Sequence, residues 1–223
     1  MHALFFLIAS TDAASQGRNI EAALAKHWDG LGGMFAYSAR DEMLVADEPI
    51  VASYGEVTSR GARVMFEALG LDGDSVFADL GSGVGKLAAQ AYLEAGVRRA
   101  IAVEFFEARH ERAVEAWQRL ATEGAELRED FDADALVHVC ADVLDADLEG
   151  VTHAFVSNYC FGEETNARIA DRLAVLPGLR RIATSRPFPP PHFPLDPARR
   201  ILVDMSWAPR VVVNIYDPPL SSS

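Results

Sequence analysis

The chain has 223 residues, half of them hydrophobic, with a formal net charge of −13. That length holds one domain with a full core, and no stretch approaches the roughly 20 apolar residues of a membrane span. The acidity excludes a general attraction to nucleic acid. The charge is uneven. Residues 1–177 carry 14 basic and 30 acidic side chains, and residues 178–223 carry 6 and 3. A basic protein is the macromolecular partner such a surface suits. Cys140 and Cys160 have no metal-ligand spacing, which fits an intracellular, reduced protein without a metal site.

In chain order, residues 3–9 form an apolar run with no Lys or Arg before it. It lacks the charged start of a signal peptide and reads as a packed or frayed N-terminal segment. Asn19 to Trp28 reads as a short helix ended near Gly30, and Asp41 to Ile50 as a loop or cover. Tyr54-Gly55-Glu56 precedes Ser59 to Leu69, where Val64, Met65, Ala68 and Leu69 recur at helical spacing.

The stretch from Val76 to Glu104 is the most informative. An apolar run to Leu80 predicts a buried strand. Gly81, Gly83 and Gly85 follow as a loop, and the helix beginning at Lys86 stops at Gly96. A second apolar run, Ala100 to Val103, ends in Glu104. This is a βαβ unit with a glycine-rich first turn and an acid at the second strand tip. A dinucleotide fingerprint needs a third glycine where Lys86 stands. A P-loop needs glycine at Leu80 and Ser or Thr at Leu87. What remains, Asp79-x-Gly81-x-Gly83-x-Gly85, is the pattern of enzymes that use S-adenosylmethionine (SAM). SAM carries an ammonium and a sulfonium but no phosphate. Asp79 suits its amino-acid end and Glu104 its two ribose hydroxyls.

Glu107 to Leu120 predicts the next helix. Glu123 to Asp134, with six acids and one arginine, predicts a solvated loop. The third strand is Ala135 to Cys140, with His138 expected as a satisfied core histidine. Asp142, just after it, suits the adenine amino group. Thr152 to Val156 is the fourth strand, followed by Ser157-Asn158-Tyr159-Cys160-Phe161-Gly162 at its tip, where ligands of open α/β sheets bind. A helix from Glu163 to Leu176, a strand from Arg181 to Thr184 and a proline-rich loop to Pro197 follow. Ile201 to Trp207 and Arg210 to Tyr216 close the sheet as an antiparallel pair. The fold class is α/β: a Rossmann-like, mostly parallel sheet with an antiparallel closing pair. Residues 54–217 are the expected catalytic domain, 1–53 an N-terminal segment and 218–223 a tail.

Tyr54-Gly55-Glu56, DLGSGVG from Asp79 to Gly85, Val103-Glu104, Asp142, Asn158-Tyr159-x-Phe161-Gly162, Ser185-Arg186-Pro187-Phe188 and Ser206-Trp207 occur in one order. Together they resemble the disruptor-of-telomeric-silencing (Dot-type) family of histone lysine methyltransferases. The resemblance implies a SET-less, SAM-dependent enzyme that acts on a core histone or nucleosome in the nucleus and releases S-adenosylhomocysteine. It implies a cofactor site of Tyr54, Glu56, Asp79, Gly81, Gly83, Gly85, Lys86, Glu104, Asp142 and Asn158. Asn158, Tyr159, Phe161 and Glu56 would form the reacting centre. Lys86 stands where the family often has an amide, and Ser157-Asn158 where it has an Asn pair. The stretch Val211-Val212-Val213 takes the place of the family's channel tyrosines, with Tyr216 further on. A small-amine or non-histone methyltransferase, or an inactive scaffold with the same fold, is the alternative.

Overall fold

The computed structural model describes residues 2–31, 55–191, 193 and 196–218, with side chains from residue 15 onward. Its strands are β1 (Val76–Leu80), β2 (Arg99–Glu104), β3 (Leu136–Cys140), β4 (His153–Val156), β5 (Arg181–Thr184), β6 (Arg199–Val203) and β7 (Val211–Tyr216). They form one sheet in the order β3-β2-β1-β4-β5-β7-β6. The first five run parallel, and β7 is antiparallel to both β5 and β6.

The strand order reverses between β1 and β4, which opens a crevice at their C-terminal ends. Leu80 pairs with Val103 on one side and Val156 on the other, so the tips of β1, β2 and β4 are level. All five residues of β1 are buried. Val76, Ala78 and Leu80 pack into one hydrophobic cluster and Phe77 into the other. A strand covered on both faces shows a continuous apolar run, and its side chains still alternate between the two layers.

The helices are α1 (His2–Trp28), α2 (Ser59–Leu69), α3 (Lys86–Leu93), α4 (Glu107–Ala121), α5 (Gly124–Leu127) and α6 (Glu163–Ala174). Residues of α1 to α5 share the Phe77 and Phe155 layer, and α6 covers the other face. Helix α2 starts where the Thr58 hydroxyl accepts the Gly61 N–H at 3.1 Å, and it stops at Gly70 with φ 65°. It buries Met65, Phe66 and Leu69, each stabilising the fold by about 1.5–3 kcal/mol.

Two segments differ from the sequence reading. Helix α1 runs unbroken from His2, so the apolar 3–9 stretch belongs to the same helix as Asn19 to Trp28. No proline interrupts it. Ile20, Ala23, Leu24 and Trp28 form a buried stripe at helical spacing, and the mostly polar stretch 10–16 hides that period in the sequence. Residues 123–134 are not a free loop. Arg128 donates to the Tyr92 and Val97 carbonyls at 2.7 and 3.1 Å, and Phe131 packs edge-on against Tyr92. Glu123 pairs with Lys26 and His27 and the other acids face solvent, while Leu127 and Phe131 anchor the segment, a packing that net charge alone does not reveal. No helix among the described residues is long and apolar enough to cross a membrane.

Candidate active site

A cleft of about 770 Å³ lies over the level strand tips. Its floor is the glycine loop after β1. The Gly81 and Ser82 N–H groups both donate to the Val103 carbonyl, at 3.0 and 2.9 Å, and so curl the loop over β2. Gly81 has φ 84°, and a Cβ there would stand 3.3 Å from the Phe161 ring. Gly81 and Gly83 line the cleft, whereas Gly85 does not. A Cβ at Gly85 would instead meet His138 Nε2 at 3.1 Å and Ala113 at 3.2 Å. The glycines therefore divide between ligand approach and close packing.

Two acids meet at this floor. Asp79 is 2 % exposed, and burial followed by the charge of Glu104 pushes its carboxyl up to about 8. Glu104 is also buried. Its Oε2 accepts the Gly83 N–H at 2.7 Å and its Oε1 the Phe106 N–H at 3.0 Å. Burial raises its pKa, while those N–H groups and the Arg109 guanidinium oppose the rise. Arg109 lines the same end of the cleft with its guanidinium 4.8 Å over the Phe106 ring. Asp142 lies on that side too, its Oδ1 accepting the Leu144 N–H at 2.8 Å.

The other end is aromatic. Tyr159 and Trp207 are half-exposed, with ring centroids 5.3 Å apart, and Phe161 lies beside them in the wall. Glu56 is strapped to the turn before β7. Its N–H donates to Ser206 Oγ at 2.9 Å, and its carbonyl accepts the Ser206 N–H at 2.7 Å. The Trp207 indole covers Gly55 so closely that a Cβ there would fall 2.3 Å from its ring. Lys86 Nζ stands 3.8 Å from Glu56 Oε2, behind the cleft wall.

Glu56, Asp79, Gly81, Gly83, Glu104, Asp142, Tyr159 and Phe161 thus surround one cleft. Tyr54 lies outside the described residues. Asn158 differs from expectation. It is fully buried, its Nδ2 donating to Asn166 Oδ1 at 2.7 Å and to the Arg186 carbonyl at 3.0 Å. Its Oδ1 accepts the Arg186 N–H at 2.8 Å. The strand-tip residue facing the cleft is Ser157, one position earlier. His138 also departs from expectation, because its buried Nε2 has no hydrogen-bond partner. Tyr216 packs in the core against Phe188 and Phe193, and Val211 lines the cleft instead. Ser157, Trp207 and Arg109 were not among the expected site residues. The strand-tip position hints at Ser157, whereas nothing in the sequence pairs Trp207 with Gly55.

The sequence matches the family described as Histone methylation protein DOT1 over residues 50–202. The chain belongs to this family. It is a SAM-dependent methyltransferase, and SAM is its cofactor. An RNA methyltransferase from Salinibacter ruber, solved with S-adenosylhomocysteine, is similar in fold. It is 20 % identical with a TM-score of 0.51, over 71 % of this chain and 90 % of that one. A geranyl diphosphate C-methyltransferase from Streptomyces coelicolor A3(2) is 19 % identical with a TM-score of 0.46, over 57 % of this chain and 43 % of that one. No curated protein matches the chain. The cleft fits the cofactor: two glycines open its floor, and buried acids stand at the level strand tips. No group of His, Cys, Asp and Glu among the described residues is arranged to hold a metal ion.

Proposed function

We propose that this DOT1-family enzyme methylates a lysine side chain of a basic protein, with a core histone in the nucleosome as acceptor and the nucleus as its place of action. The observation that carries this reading is the aromatic mouth. Tyr159, Trp207 and Phe161 give the cleft an apolar, aromatic wall that suits an alkyl amine, in a chain whose family acts on histones.

SAM, when bound, supplies an electrophilic methyl group on a sulfonium. Asp79 and Glu56 hold its ammonium, Glu104 its ribose hydroxyls and Asp142 the adenine amino group. Lys86, behind the wall, pairs with Glu56 and so positions the Glu56 carboxylate. The aromatic mouth strips water from the incoming lysine. An ordinary lysine titrates near 10.4, and burial lowers that by roughly 3, at a cost of about 4 kcal/mol. The neutral amine thus forms without a dedicated base, and its proton leaves to solvent before transfer. Asn158 serves by holding the β4 and β5 tips together, so that Ser157, Tyr159 and Phe161 stand in register. Alignment and dehydration are the protein's main contributions.

One observation favours a second acceptor class. Val211 lines the mouth where the resemblance places a tyrosine, and Ser157 where it places an amide. Both side chains are smaller than those the resemblance implies, which suits a bulkier amine or a non-histone protein. The test is transfer of labelled methyl from SAM to reconstituted nucleosomes, free core histones and a panel of small amines. Label on a histone lysine is the expected result. Label on a small amine alone would overturn the histone assignment.

A further inference from the structure

One contact outside the cleft ties its floor to the N-terminal helix. Trp28, the last residue of α1, is 2 % exposed, and its indole Nε1–H donates to the Val84 carbonyl at 2.7 Å. Val84 lies between Gly83 and Gly85, which hold left-handed backbone at φ 58° and 73°. The bonding ladder of α3 begins with the Gly85 carbonyl, which accepts from Ala89. The carbonyl of Val84 therefore falls just outside the helix, and the indole supplies its donor. A buried carbonyl left without a donor costs the loop its shape.

The chain of contacts continues into the site. Gly83, adjacent to Val84, lines the cleft and gives its N–H to Glu104 at 2.7 Å. The same end of α1 is fastened on its other side. Lys26 Nζ and His27 Nε2 meet the Glu123 carboxylate at 2.7 and 2.6 Å, and Arg112 donates to the Leu31 carbonyl at 3.2 Å. The end of α1 is thus wedged between the glycine loop and α4.

We propose that Trp28 is a positioning residue for the cofactor: its indole N–H holds the glycine loop in the conformation that binds SAM, which links docking of α1 to cofactor affinity. The inference concerns the cofactor alone and stands whichever acceptor the enzyme uses. The linkage is reciprocal, so bound cofactor tightens the Trp28 contact by the same factor.

The test compares Trp28→Phe with Leu24→Ala in the full chain. Leu24 is equally buried one turn earlier on α1, and it makes none of the hydrogen bonds to the loop. Both variants lower the melting temperature. S-adenosylhomocysteine binding, measured by calorimetry well below the transitions, weakens about tenfold in Trp28→Phe, from the cost of one unsatisfied buried carbonyl. It stays within twofold in Leu24→Ala. With saturating SAM and acceptor, kcat of Trp28→Phe stays within threefold while KM for SAM rises. A Trp28→Phe protein that binds as wild type does, or a Leu24→Ala protein that weakens equally, overturns the proposal. If Trp28→Phe does not fold, indole hydrogen exchange in the wild-type protein decides. Saturating S-adenosylhomocysteine must slow exchange of the Trp28 indole proton more than that of Trp117, which donates to the Ala133 carbonyl. Equal slowing overturns the proposal. A wild-type protein that takes up no S-adenosylhomocysteine overturns the cofactor assignment instead.

Discussion

Replacing Asp79 by asparagine should abolish two measurable pH dependences of this protein. The carboxyl is pushed up to about 8 by burial and by Glu104, whereas in the unfolded chain it titrates near 3.9. The folded-state value lies above the unfolded one, so between those limits the native state holds a proton that the unfolded state has lost. This contribution to stability is complete below the unfolded value and declines as pH rises through the window, by up to 1.4 kcal/mol per pH unit. The total by pH 8 is on the order of 5 kcal/mol, as an upper limit. Asp79→Asn removes that slope. Denaturant unfolding of both cofactor-free proteins between pH 5 and 8 should show the variant gaining on wild type at each step. Cofactor binding should run the other way, because the proposed contact with the ammonium of SAM favours ionised Asp79. An α-amine titrates near 7.8, so wild-type protein should release close to one proton on binding at about pH 6.5, with affinity peaking near pH 8. Calorimetry in buffers of different ionisation enthalpy counts that proton. Asp79→Asn should release none and bind about tenfold or more weakly, from the loss of a charge-assisted contact. Parallel stability curves, or equal proton release, would refute the reasoning.

Three further predictions follow from the geometry. Glu104→Gln loses the charge that accepts the Gly83 and Phe106 N–H groups, and SAM binding measured by calorimetry should weaken by about 1.5–3 kcal/mol; unchanged affinity would remove Glu104 from the site. Asn158→Ala breaks one buried hydrogen bond to Asn166 and two partly buried ones to the Arg186 backbone. It should cost about 2–4 kcal/mol, lower the melting temperature by roughly 5–12 °C, and reduce turnover through the displaced strand tip. A variant with wild-type stability and no activity would return Asn158 to the reacting centre. Trp207→Ala opens the aromatic mouth and should reduce methyl transfer at least about tenfold while cofactor affinity stays within threefold; a matched loss of affinity would move Trp207 to the cofactor side.

Local sequence alone determined the βαβ core. The continuous apolar run of β1 needed two covered faces, the glycines and the flanking acids together pointed to a ligand at the strand tip, and Glu104 marked the end of β2. These features are legible because strand burial, backbone freedom and helix capping act over a few residues. The order of Ser185-Arg186-Pro187-Phe188 and Ser206-Trp207 behind that core was legible too, and with it the family.

Tertiary structure decided which of those residues face the cleft. Ser157 and Asn158 are neighbours in one motif, yet the backbone turn after β4 gives the first to the cleft and spends the second on Asn166 and Arg186. Gly83 and Gly85 look alike in the motif, but only contact with His138 and Ala113 shows that Gly85 serves packing. Helix α1 gave a weak signal because its stripe gains meaning only against the sheet and the loop it braces through Trp28. The acidic run 123–134 read as solvated because charge outweighs two apolar anchors in any local count, while in the fold Leu127 and Phe131 decide its path. Each of these outcomes rests on a partner far away in the chain, and long-range contact is the term that local pattern cannot carry.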